Sequence, residues 1–93
     1  MAVTHVGGKC YELTAAGDQI NKNLRIKRLR WESAAANAGD DLEITDPDNN
    51  ALVLYKSYAT GVFYVEDQLI EAHWPNGLEV NLLDSGTLRI YYA

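Results

Sequence analysis

The length, composition and charge of this 93-residue chain narrow what it can be. One domain of this size is near the small end of what folds unaided, and 47% apolar residues is ordinary for a globular protein, which argues against disorder. The formal net charge of −5 argues against nucleic acid as a main partner. The single cysteine, Cys10, excludes an intrachain disulfide and so a disulfide-stapled secreted scaffold; we expect it to be a small apolar residue of a strand.

The amino-terminal sequence predicts no targeting segment. Residues 1–6 lack the basic start and the long apolar run of a signal peptide. No apolar run approaches the roughly 20 residues that cross a membrane. We therefore expect a soluble protein that is made in the cytoplasm and contacts no membrane. Residues 1–8 are expected to form a short strand or an extended arm of a single domain that spans residues 1–93.

Alternating apolar residues predict a series of short strands separated by turns. The predicted strands cover residues 9–14, 22–31, 41–45, 51–58, 62–65, 78–82 and 87–92. Residues 66–74 fit no clear period. The sequence Asp84-Ser85-Gly86 is expected to make a tight hairpin turn between the last two strands. Seven or eight strands with turns every 8–12 residues are typical of an all-β fold, here a compact antiparallel β-sandwich with a jelly roll as one arrangement.

The chain is organised around one basic strand, residues 22–31, which contains five of the eight basic residues and no acidic one. Its apolar residues at 24 and 26 are two apart, and so are those at 29 and 31, but the step between the pairs is three. Side chains of a strand alternate with a period of two, so a β-bulge near Lys27 or Arg28 is needed to keep both pairs facing one core.

The apolar positions that these strands turn inward form the predicted core. They are Leu24, Ile26, Leu29, Trp31, Leu42, Ile44, Leu54, Phe63, Val80, Leu82, Leu88 and Ile90. The run of apolar residues 52–55 predicts burial on both faces, or one face under a partner.

The other face of the basic strand is a candidate interface. Its cationic residues are Lys22, Arg25, Lys27, Arg28 and Arg30. We expect part of this face to meet acidic loops, such as Asp40-Asp41 or Glu66-Asp67, on another subunit or on a capsid, because arginine binds carboxylates bidentately. The alternative is that the face is only solvated.

Aromatic residues extend the candidate interface. Tyr91 and Tyr92 are adjacent, so in a strand one of them must face away from the other. Tyr64 and Trp74 lie in or near the segment without a clear period. Since exposed aromatic residues often mark contacts, we include Tyr64, Trp74 and Tyr91 in the interface; the alternative is that they cap the edges of the core.

No metal, cofactor or catalytic site is predicted. Oxygen side chains alternate from Asp46 to Asn50 as at the start of a calcium loop, but a strand follows where a glycine and a glutamate would be needed, so we predict a plain turn. His5 and His73 have no second ligand at metal-binding spacing. A carboxylate pair among Glu66, Asp67 and Glu71 would suit a small glycosidase, but a charged, solvated loop is the preferred interpretation.

Four features resemble, in the same order, those of a group of small bacteriophage virion proteins. They are the basic strand from Leu24 to Trp31, the loop Ala38-Gly39-Asp40, the turn from Asp46 to Asn50, and the ending from Gly77 to Tyr92. The resemblance covers roughly residues 23–92. It implies a capsid decoration (cement) or head–tail accessory protein, located in the virion. Such families are non-enzymatic β-sandwiches and often trimers, which implies a homo-oligomer that contacts other virion proteins such as the major capsid protein.

Three functions therefore compete at the level of sequence. The first is a virion structural protein, and the second is a carbohydrate-binding or adhesion module of a phage or bacterial surface that stacks sugars on Trp74 and the tyrosines. The third, a small hydrolase built on the acidic segment, is the least favoured because no catalytic set is assembled.

Overall fold

A computed structural model describes residues 3–5, 8–33, 39–61 and 64–93. In these ranges the chain forms nine antiparallel β-strands and no helix, and they make a two-sheet sandwich, as predicted. The strands are β1 Val3–His5, β2 Cys10–Leu13, β3 Gln19–Ile20, β4 Leu24–Ser33, β5 Asp41–Asp46, β6 Asn49–Tyr58, β7 Tyr64–Trp74, β8 Leu78–Leu83 and β9 Thr87–Tyr92. The number exceeds the predicted seven or eight because β3, with two residues, is too short to show a period.

The strand order is that of a jelly roll. One sheet has the order β1-β2-β9-β4-β7 and the other the order β3-β8-β5-β6. From β2 to β9 the partners are nested, since β2 pairs with β9, β3 with β8, β4 with β7 and β5 with β6. The chain is therefore one long hairpin folded over into two sheets, which is the jelly-roll arrangement. Its tip is the turn at Pro47 and Asp48, where Asp46 pairs with Asn49, and no calcium loop forms there.

The basic strand contains the predicted bulge. The register of β4 with both neighbours, β7 and β9, shifts between Ile26 and Arg28. Because of this shift the apolar residues on either side of the bulge, from Leu24 to Trp31, all face the same core, and the indole of Trp31 is its largest fully buried side chain. The structure thus confirms the bulge, and it places β4 between β9 and β7 in the five-stranded sheet.

Residues 66–74 show no period in the sequence because each side of the strand that they form carries both polar and apolar residues. Ile26 pairs with Ala72 and Arg28 with Leu69, so two residues of β7 oppose the single Lys27. The even-numbered residues of β7 lie on the inward side on both sides of this irregularity, but Glu66 and Gln68 are among them and Leu69 points outward, which hid one continuous strand of 11 residues. The short strand predicted at 62–65 is the start of β7, although residues 62 and 63, including the core candidate Phe63, lie outside the described residues.

A second bulge makes one core prediction wrong. Glu43 of β5 pairs with Leu82, but the next residue, Ile44, pairs with Val80, so Asn81 is the extra residue of β8. The bulge turns Leu82 outward, where 36% of it is exposed, and Leu83 packs against the core instead. Of the remaining predicted core positions, Leu54 is partly buried.

The turn at Asp84-Ser85-Gly86 is not the predicted hairpin. Strand β8 pairs with β3 and β5, whereas β9 pairs with β2 and β4, so this turn carries the chain from one sheet to the other. The indole N–H of Trp31 donates a hydrogen bond of 2.9 Å to the carbonyl oxygen of Ser85. Strand β4 is therefore hydrogen-bonded to the turn that connects the two sheets at this end of the sandwich.

Candidate interaction surface

The outward face of the five-stranded sheet carries an ordered row of charges. Four residues on neighbouring strands are register partners in this row: Glu12, Arg89, Arg30 and Asp67. Arg89 donates to the carboxylate of Glu12 at 3.3 Å, and Arg30 donates to Asp67 at 3.0 Å. The two arginines, on the adjacent strands β9 and β4, are thus each compensated by a carboxylate on the next strand, β2 or β7.

A second row lies beside the first and shares its acidic residue. Arg28 donates twice to Asp67, from Nε at 2.7 Å and from Nη2 at 2.5 Å, and its guanidinium lies 5.0 Å from the centre of the Tyr91 ring. Asp67 therefore binds both Arg28 and Arg30 within one chain. The sequence predicts this carboxylate opposite the basic strand of another subunit, and the structure instead uses it intramolecularly.

The shared ion pair predicts a pH dependence of stability. Hydrogen bonds from Arg28, followed by its charge, lower the pKa of Asp67 from 3.8 to about 2. Because this pKa is lower in the folded than in the unfolded chain, the stabilisation is complete above pH 4 and is lost as the pH falls towards 2. We expect Asp67→Asn to lower the urea midpoint at pH 7, with the difference from wild type shrinking between pH 4 and pH 2. A difference that persists unchanged at pH 2 would contradict this assignment.

Three cations of this face have no carboxylate partner among the described residues. They are Lys9, Arg25 and Lys27, and we call them the basic patch. Two open grooves of about 400 Å³ each meet at Lys27. One groove is lined by Lys9, Lys27, Arg28, Leu69, Tyr91 and Tyr92, and the other by Arg25, Ile26, Lys27, Glu71, Ala72, His73 and Ala93. The cations at the β4 bulge make no ion pair among the described residues, and Glu71 contributes a carboxylate to one of the two grooves beside them.

Lys22 lies apart from the basic patch. Its ammonium group is 4.9 Å from the centre of the Tyr11 ring and 5.7 Å from that of Tyr92. These two rings stack on each other with centres 5.2 Å apart, and His5 packs against both. Lys22 therefore contributes a cation–π contact to an aromatic cluster.

The predicted interface aromatics separate into different environments. Trp74 is only 5% exposed and belongs to the core, so its assignment as an exposed contact or stacking platform is corrected. Tyr64 is partly buried with its ring edge against Trp31, as a residue that caps the core. Tyr91 lies on the outward face beneath Arg28, and it alone of the three lines a groove.

Glu66 and Asp67 cannot act as a carboxylate pair because they face opposite sides of β7. Glu66 is the register partner of Trp31 and points inward, where the hydroxyls of Tyr55, Ser57 and Tyr64 donate to its carboxylate. Burial alone would raise the pKa of Glu66, but these three hydrogen bonds outweigh it and lower the pKa. Glu66 thus links β7 to β6 at the open edge of the sandwich. These hydrogen bonds give the inward position of this carboxylate a structural role.

That open edge is a second candidate surface, which the sequence analysis did not identify. At one side of the sandwich the sheets end in the long strands β6 and β7, whereas at the other side they end in β1 and β3, of three and two residues. The two long edge strands carry exposed apolar residues: Leu52, Val53 and Tyr58 on β6, and Val65 and Leu69 on β7. The only sequence signal was the apolar run at 52–55.

No metal or membrane feature accompanies these surfaces in the described part of the chain. No group of three or more potential metal ligands occurs among those residues, and no described helix is long and apolar enough to cross a membrane. Cys10 is buried in a strand, as predicted, and burial raises the pKa of its thiol.

Comparison of the chain with protein-family models, with curated proteins and with solved structures finds no match.

Proposed function

We propose that this chain is a non-enzymatic structural protein of a bacteriophage virion, a capsid decoration or head–tail accessory protein that binds an acidic surface of another virion protein. The observation that carries the proposal is the basic patch at the β4 bulge. The virion assignment comes from the resemblance of the sequence, and jelly rolls occur in viral capsid proteins and in lectins alike. The major capsid protein is the first partner to test.

The ion pairs beside the basic patch hold the neighbouring arginine side chains in place. Asp67 fixes Arg28 and Arg30, so the two arginines are already ordered before any partner arrives. Lys27 and Arg25 lie beside them and make no ion pair among the described residues, although Glu71 lines the same groove, so both cations can pair with a carboxylate of a partner. Charge pairs at an interface mainly provide orientation and specificity. Leu69, 85% exposed at the rim of the same groove, supplies apolar contact area.

A carbohydrate-binding module loses its main support because Trp74 is buried. Sugar recognition by stacking needs an exposed aromatic face. Trp74 lies in the core, and among the tyrosines expected to share this role Tyr58 is 61% exposed. A glycan array therefore serves as the opposing test: strong glycan binding, without binding to capsids, would overturn the virion proposal.

The patch is tested by neutralising it. We expect the double variant R25Q/K27Q to fold like wild type, because both side chains are exposed and surface changes usually cost little. Its binding to particles assembled from the major capsid protein of the same phage should weaken by about tenfold or more. Cosedimentation at low and at raised salt measures this, and wild-type binding should itself weaken as salt screens the charges.

A matched control separates the patch from net charge. The variant A16D/T60D adds two negative charges at exposed turn positions away from the grooves, so it changes the net charge of −5 by the same amount as R25Q/K27Q. We expect it to bind like wild type. Arg28 is left intact in this design because its loss would also release Asp67. If R25Q/K27Q binds as well as wild type at low salt, the basic patch is only solvated and the proposal fails.

A further inference from the structure

The edge of the four-stranded sheet is unusually open. Strand β6 has ten residues, ends the sheet, and has β5 as its only strand partner in the described chain. Proteins usually protect such edges with short strands, charges or β-bulges, since an open edge pairs with other chains. The register of β6 with β5 shifts on both sides of the Thr45–Val53 pair, and the strand continues through these shifts from Asn49 to Tyr58. On the opposite side of this sandwich the edges are short. On β6, Leu52 and Val53 are each nearly half exposed.

The charges of β6 permit it to pair with its own copy. Lys56 is the only charged residue of the strand, and its ammonium group lies 3.6 Å from the carboxylate of Glu43 on the adjacent strand β5. Two β6 strands side by side would therefore bring no uncompensated like charges together. The other long edge, β7, carries Glu71, which makes no ion pair among the described residues, so its self-pairing would add one uncompensated carboxylate from each copy.

We propose that two copies of this chain associate through β6, antiparallel, so that their four-stranded sheets form one continuous sheet across a two-fold axis. In the register that overlaps the apolar residues 51–55, Val53 lies opposite Val53 of the second copy. Main-chain hydrogen bonds of the edge would supply affinity, and the apolar side chains would be removed from water. This contact is isologous and closes as a dimer, in contrast to the trimer that the resemblance implies.

The proposal does not depend on the virion function. The β6 edge belongs to the four-stranded sheet and the basic patch to the five-stranded sheet. R25Q/K27Q is therefore expected to dimerise like wild type, so the failure of either proposal can be recognised without the other.

The experiment is sedimentation equilibrium of the wild-type protein and of Val53→Lys over a range of concentrations. We expect wild type to reach twice the monomer mass of 10.3 kDa. Val53→Lys places two ammonium groups opposite each other at the two-fold axis, and it should raise the dissociation constant by about tenfold or more. The matched control is Leu69→Lys, which adds the same charge at the most exposed leucine of the other edge and should leave the dimer intact.

A cross-link tests the register and remains informative if Val53→Lys does not fold. Cys10 is buried, so in Val53→Cys the new thiol is the accessible one, and mild oxidation should give a covalent dimer. Leu69→Cys should give none. A wild-type protein that is monomeric at high concentration, a trimer, or a dimer that Leu69→Lys disrupts while Val53→Lys does not, would each overturn the proposal. A dimer that persists in Val53→Lys and does not cross-link through Val53→Cys would do so as well.

Discussion

Alanine in place of Gly77 is expected to remove a large part of the stability of the fold at 25 °C. Gly77 lies in the turn from β7 to β8 with a φ of 88°, and a Cβ at this position would lie 1.7 Å from the carbonyl oxygen of Ile20 and 2.8 Å from its carbonyl carbon. Both atoms are backbone of the paired strand β3, so no side-chain rotation relieves the clash. We expect a loss of at least about 4 kcal/mol, most of the stability of a small domain. Urea unfolding followed by circular dichroism measures it.

Gly17→Ala is the matched control for the backbone angle. Gly17 has a φ of 93°, but no atom lies within 4 Å of the place that an added Cβ would occupy, so only the left-handed conformation is penalised. We expect this variant to lose about 1–2 kcal/mol and to remain folded. If Gly17→Ala and Gly77→Ala are equally destabilised, the contact with Ile20 does not decide the effect.

The fold could be predicted to the extent that its strands keep an unbroken period. In β4 the apolar residues on both sides of Lys27 kept their spacing of two, so the bulge itself could be located from the sequence. In β8 the extra residue, Asn81, follows a clean alternation, and nothing in the sequence shows that the strand changes phase before Leu82. Bulges can be predicted only where flanking residues report the change of phase.

The corner at Asp84-Ser85-Gly86 marks a second limit. Its residues suit a tight turn in either a hairpin or a crossing between sheets, because local turn chemistry does not encode which strands become neighbours. The nested pairing of β2 with β9 depends on residues from opposite ends of the chain. Strand order therefore required the structure, although the sandwich class did not.

The sequence was sufficient to predict which cations form the candidate site, but not which of them make ion pairs within the chain. The sequence placed positive charge on one face of β4, and the structure has it there. It could not show that β7 lies beside β4 and brings Asp67 to two of the arginines. The bulge also leaves Lys27 outside this ion-paired set. The part of the face available to a partner is thus smaller than the basic strand, and it lies around the irregularity rather than along the whole strand.

The two proposed surfaces would serve different contacts, one with another virion protein and one between two copies of this chain. The basic patch suits a partner with acidic side chains, and its contacts weaken with salt. The β6 edge suits an identical strand, and its main-chain hydrogen bonds depend little on salt. Because the two surfaces are on different sheets, a dimer formed through β6 would present two basic patches. Two patches on one dimer would strengthen binding to a repetitive surface through effective concentration, provided their spacing matches the repeat.

Trp31→Ala is the second change with a large expected effect. The Trp31 side chain is fully buried, packs against the ring of Tyr64 with centres 5.5 Å apart, and lies on the strand between β7 and β9. Its removal leaves a large cavity at the centre of the sandwich and deprives the Ser85 carbonyl of its indole donor. We expect a loss of about 3–5 kcal/mol in the free energy of unfolding, measured by urea titration followed by circular dichroism.

Trp31→Phe removes the hydrogen bond with a smaller loss of side-chain volume than Trp31→Ala. Phenylalanine keeps an aromatic ring in the core but cannot donate to the carbonyl of Ser85, so a loss of about 1–3 kcal/mol is expected. The corner between β8 and β9 should then exchange its amide hydrogens faster than the rest of the core. If Trp31→Phe is as stable as wild type and protects the corner equally well, the indole hydrogen bond does not hold the sheets together at that end, and packing alone accounts for the position of Trp31.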